Sequence, residues 1–100
     1  MKTDTAPQVL RFPLAIAGLS KVEIPKGAVI LDVQPSKTGF NLFAMADPSN
    51  SKLTRTFTIV GTGQDLPHGW DWVHLRTFAT QGPTIHVFEI PTHIAKKLGK

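Results

Sequence analysis

Short apolar bursts alternate with polar positions along the chain, and clusters of Gly, Pro, Asn, Asp and Ser interrupt them at fairly even intervals. The interruptions fall at Pro25-Lys26-Gly27, Pro35-Ser36-Lys37-Thr38-Gly39, Asp47-Pro48-Ser49-Asn50-Ser51, Gly61-Thr62-Gly63 and Gln81-Gly82-Pro83. Between them lie segments of strand length rich in Val, Ile, Phe and Thr. The pattern predicts strands at 9–17, 20–24, 28–34, 40–46, 54–61, 72–79 and 84–90. Evenly spaced short strands predict an all-β fold, a small antiparallel sandwich or partly open barrel of about six to seven strands. No long 3.6-residue period precedes residue 92, so a helical domain is not expected.

The strands differ in character. Ala28-Val29-Ile30-Leu31 and Leu42-Phe43-Ala44-Met45-Ala46 are apolar on both faces, which suits central strands covered on two sides. In 53–60, Leu53, Arg55, Phe57 and Ile59 share one face, and Thr54, Thr56, Thr58 and Val60 the other. The threonine face is expected to be the wetter. Pro13 cannot donate to a ladder and predicts an edge position for the first strand. At the end of the chain, Thr92 can cap a short helix with Ile94 and Leu98 on one face and Gly99 as its stop. The expected organisation is a flexible segment at 1–8, one β-domain at 9–91, and a basic tail or short helix at 92–100.

With 100 residues the chain makes one domain with a modest core. It has no cysteine, which excludes a disulfide framework, a thiolate metal site and a cysteine nucleophile. Arg11 and Pro13 break the first apolar segment, so no secretory signal is expected. No run is long enough for a membrane-spanning helix, and the chain reads as a soluble intracellular protein.

The formal net charge of +4 suggests nucleic acid until it is partitioned. Residues 1–21 hold three bases and one acid; residues 92–100 hold three lysines and no acid. The middle, 22–91, holds five bases and six acids. The excess therefore sits in the flanks. Lys2, Arg11, Lys96, Lys97 and Lys100 are the candidate phosphate contacts, of a kind that positions a nucleic acid without reading its sequence.

Two places carry possible chemistry. In the loop 61–72, Gly61 and Gly63 can present N–H groups to an anion, but no helix N-terminus or Lys-Ser/Thr pair follows. A strand exit is the commoner meaning. Asp65, His68 and Asp71, spaced three apart, can offer oxygen and nitrogen to a divalent ion, while Asp at turn positions is the simpler account. Trp70 and Trp72 flank Asp71; Trp72 is expected to be partly buried and Trp70 to be the better surface anchor. In the final hairpin, strict alternation puts Trp72, His74, Arg76, Phe78, His86, Phe88 and Ile90 on one face, with Arg76 or Phe78 opposite His86. The other face, Val73, Leu75, Ala79, Ile85 and Val87, reads as core. An aromatic, His and Arg face is the composition of a wet protein interface, or of a surface that the tail covers through Ile94 and Leu98. Two histidines without a third ligand do not make a zinc site. No serine lies in a nucleophile elbow, and no cofactor is expected.

Several blocks together resemble a known family. They are Leu10-Arg11-Phe12-Pro13-Leu14, Ile24-Pro25-Lys26-Gly27-Ala28-Val29-Ile30-Leu31-Asp32-Val33-Gln34, Leu42-Phe43-Ala44-Met45-Ala46-Asp47-Pro48, Phe57-Thr58-Ile59-Val60-Gly61-Thr62-Gly63 and His86-Val87-Phe88-Glu89. Over residues 9–90 the chain resembles a family of short, uncharacterised β-rich proteins encoded mostly by tailed bacteriophages. The resemblance implies a phage-encoded protein working in the host bacterial cytoplasm, and it transfers no catalytic or binding residue. The first expectation is a non-enzymatic accessory protein that binds and modulates a host protein through the tryptophan loop or the aromatic hairpin face. The alternative is a nucleic-acid-binding module using the basic termini. A weaker alternative is a metal-dependent enzyme using Asp65, His68 and Asp71. Open sheet edges also allow a homo-oligomer.

Overall fold

The computed structural model describes residues 6–15, 18–66 and 71–91. They form seven strands: β1 Gln8–Leu14, β2 Gly18–Pro25, β3 Val29–Ser36, β4 Gly39–Ala46, β5 Lys52–Gly61, β6 Val73–Phe78 and β7 Ile85–Ile90. Every pairing is antiparallel. The strands make two sheets, one ordered β1-β4-β3 and the other β2-β5-β7-β6, and neither closes into a barrel. All seven predicted strands are present, with β1 ending at Leu14 rather than at residue 17. The predicted helix and the terminal segments 1–5 and 92–100 lie outside the described residues.

Turn chemistry connects the strands as the sequence requires. At Pro25-Lys26-Gly27 the Ala28 N–H donates to the Pro25 carbonyl at 3.2 Å, and Gly27 takes φ +82°, a conformation a Cβ disfavours. After β4, Asp47 accepts from Ser49 N–H at 2.9 Å and from the Ser49 hydroxyl at 2.7 Å. That side chain folds the turn back on itself.

One core lies between the sheets. Leu14, Val33, Phe40, Leu42 and Ala44 come from the three-stranded sheet; Ile24, Phe57, Ile59, Phe78 and Val87 come from the other. Phe40 and Phe78 meet across it with ring centroids 5.5 Å apart. Within this sandwich β1 is an edge strand, as Pro13 requires.

Three expectations are corrected. The segment Ala28–Leu31 leads into β3, which is an edge strand, and Val29 and Leu31 are exposed. Strand β4 is central, but only its inward face is covered: Met45 pairs in register with Val9 and Val29, and all three are exposed. The threonine face of β5 is dry at its centre, with Thr56 and Thr58 each 3% exposed, while Thr54 at its start is exposed. Because β5 is flanked on both sides, Thr56 sits between Lys21 and Ile90, and Thr58 between Leu19 and Phe88. The Thr58 hydroxyl meets its hydrogen-bonding need by donating to the Gly18 carbonyl at 3.1 Å.

Two ion pairs brace the sandwich. Arg55 of β5 grips Glu89 of β7 through Nε at 2.6 Å and Nη2 at 2.8 Å. Arg76 of β6 reaches the other sheet and pairs with Asp32 of β3 at 2.5 Å. The hydrogen bond from Arg76, then that from Gln34, holds the Asp32 carboxyl below its usual value of 3.8. A depressed carboxyl stabilises the fold above its unfolded value and ceases to do so as pH falls through the lower folded one. Both partners are more than a third exposed, so the contribution is about 1 kcal/mol or less. Urea melts of the wild type and Asp32→Asn are expected to differ at pH 7 and to converge towards pH 3. An equal difference at both pH values would show that the pair does not act through its charge.

Candidate hairpin recognition face

The β6–β7 hairpin carries five of the seven candidate partner-binding residues, His74, Arg76, Phe78, His86 and Phe88, but a β-bulge divides them. The register shifts between His74 and Arg76, so Leu75 is an extra residue on β6. Before the bulge His74 lies opposite Phe88; after it Thr77 lies opposite His86, Arg76 opposite Val87 and Phe78 opposite Ile85. Directly opposed residues share a face. Val87 is fully buried in the core, so Arg76 and Phe78 point inward with it.

Strict alternation is therefore corrected at two residues. Phe78 packs on Phe40, and the Arg76 guanidinium stands 5.0 Å over the Phe78 ring while it pairs with Asp32. Both hold the two sheets together. Thr77, and neither of them, stands opposite His86.

The outward face keeps Trp72, His74, His86 and Phe88. Phe88 is its centre: the Trp72 ring meets it edge-on at 6.4 Å and the His74 ring at 5.4 Å. Such tilted contacts place the positive edge of one ring against the negative face of another. Trp72 is half-buried, as expected, along with Phe88 and His86, while His74 is exposed.

A chain of side-chain hydrogen bonds continues from the aromatic cluster. His74 Nε2 lies 2.8 Å from Thr77 Oγ1, which lies 3.0 Å from His86 Nδ1. The other nitrogen of His86, Nε2, lies 2.7 Å from Thr62 Oγ1. Thr77 has one hydroxyl proton for two imidazoles, so at least one ring nitrogen must donate to it. This network fixes the His86 ring from both sides and the His74 ring through Nε2, and it joins the hairpin to the exit of β5. Neither threonine was legible as a site residue. Thr77 faces outward only because of the bulge, which has no signature in the sequence.

The remaining candidates are dispersed. Asp65 and Asp71 are exposed, and His68 and Trp70 lie outside the described residues. Among the described residues no three His, Asp or Glu side chains converge as a metal site. The Gly61 N–H is taken by Gln64 Oε1 at 2.6 Å, which leaves the Gly61-Thr62-Gly63 turn without that donor for an anion. Arg11 is exposed on β1, in the sheet opposite the hairpin; Lys2, Lys96, Lys97 and Lys100 lie outside the described residues. No helix among the described residues is long and apolar enough to cross a membrane.

No curated protein and no solved structure matches the chain. A family model described as a domain of unknown function, DUF7352, matches residues 6–97, which spans both sheets and the whole hairpin. The chain belongs to the DUF7352 family.

Proposed function

We propose that this protein is a non-enzymatic binding module, a bacteriophage accessory protein that engages and modulates a host protein in the bacterial cytoplasm. The observation that carries the reading is the outward cluster of Trp72, Phe88 and His74, pre-arranged by ring contacts at the start of β6 and on β7. Aromatic side chains with few rotamers lose little entropy on binding and supply large contact areas. Thr77 and His86, hydrogen-bonded to one another beside them, give the cluster a polar, ordered margin. The phage origin is supported by the block resemblance across residues 9–90.

Salt separates this reading from phosphate binding. An aromatic interface is expected to keep its affinity within about threefold between 50 and 200 mM salt, whereas several phosphate contacts would lose orders of magnitude. Measuring partner affinity at both salt concentrations decides between them. A steep loss, or binding abolished by nuclease, would contradict a protein partner.

A further inference from the structure

On the inward side, at the end of the sandwich away from the histidine network, Arg55 and Glu89 border a cavity of about 380 Å³. Its other walls include Ala28, Leu53 and Val73, with Lys26 from the β2–β3 turn. We propose that this cavity is a binding site for a small aliphatic monocarboxylate.

The guanidinium supplies the recognition. Of its five N–H bonds, Nε and Nη2 each give one to Glu89, and Nη1 gives one to the Ala28 carbonyl at 2.8 Å. Two N–H bonds remain, one on each terminal nitrogen. A pair of donors on neighbouring nitrogens matches the two oxygens of a carboxylate. The Glu89 and Ala28 contacts hold the guanidinium plane, so the ordering cost is met before a ligand arrives.

Charge selects the ligand's valence. Arg55, Glu89 and Lys26 together carry a single net positive charge, which a monoanion balances. A dianion would leave one negative charge uncompensated beside the Glu89 carboxylate. Among the described residues the Lys26 ammonium has no ion-pair partner, so it is available at the rim.

The walls select the body. Leu53 and Val73 are 44% and 52% exposed, and both line the cavity. An aliphatic group seated there removes this apolar surface from water. The volume lies at the small end of ligand pockets, which fits a body of a few carbons.

The test is a ¹H–¹⁵N NMR titration of the full chain with 4-methylpentanoate and, as control, 4-methylpentanamide. A short peptide ending in leucine, with a free or an amidated terminus, distinguishes a chain end from a free acid. The acid or the free-terminus peptide is expected to shift the Ala28, Leu53 and Val73 amides saturably, with half-effect at a few mM or below. The amide forms leave them unmoved. Lys26→Gln weakens binding about two- to fivefold, and Arg55→Lys, which keeps the charge but loses the fork, about tenfold or more. Should Arg55→Lys fail to fold, the Lys26→Gln titration and the amide controls still decide. Absence of saturable shifts up to about 50 mM, or equal shifts from acid and amide, overturns the site.

Discussion

Phe78→Ala is expected to destabilise the fold by about 3 kcal/mol, whereas Phe88→Ala, on the partner strand's outward face, costs about 1 kcal/mol. The difference follows from the bulge. Phe78 is 9% exposed and fills the space between the sheets against Phe40, so its removal leaves a cavity lined by core side chains. Phe88 is half-buried on the surface, where water and neighbouring rings can reoccupy its place. For a domain of this size 3 kcal/mol lowers the melting temperature by more than about 12 °C. Thermal melts of the two variants check the assignment. Equal losses would mean that both rings share one face, as uninterrupted alternation requires.

The second large effect concerns binding. Trp72→Ala is expected to weaken the partner complex by about 2 kcal/mol or more, roughly thirtyfold, with little loss of fold. Trp72 is half-buried and meets Phe88 edge-on, so its truncation removes an anchor and loosens the ring it supports. Arg76→Ala is the matched control: it lies two residues past His74 but faces the other sheet. Its effect belongs to stability. Calorimetric titration of each variant with the partner, beside a urea melt, separates the two roles.

Much of the fold is legible in the residues. Turn clusters and β-rich segments locate all seven strands, and Pro13 places β1 at an edge. What the pattern does not reveal is which sheet each strand joins and which neighbours flank it. Val29 and Leu31 read as doubly covered but lie on an edge; Thr56 and Thr58 read as wet but lie in an internal strand. Both differences arise from pairing between distant segments, which local composition cannot encode. The candidate site is half legible for a related reason. Period-two alternation correctly groups Trp72 and His74 with His86 and Phe88, and one inserted residue at Leu75 reverses every assignment beyond it on β6. The cavity at Arg55 was invisible because Lys26, Arg55 and Glu89 are far apart in sequence and meet only through the β2–β5–β7 order.

Retention of a host protein from nuclease-treated bacterial lysate tests the central claim most directly, when the wild type is compared with a Trp72→Ala, His74→Ala, Phe88→Ala triple variant and with Arg76→Ala. A discrete protein is expected on the wild type and on folded Arg76→Ala, and is expected to be lost from the triple variant while its circular dichroism stays native. Equal retention by the triple variant, or none by the wild type, would contradict recognition through the outward face of the hairpin.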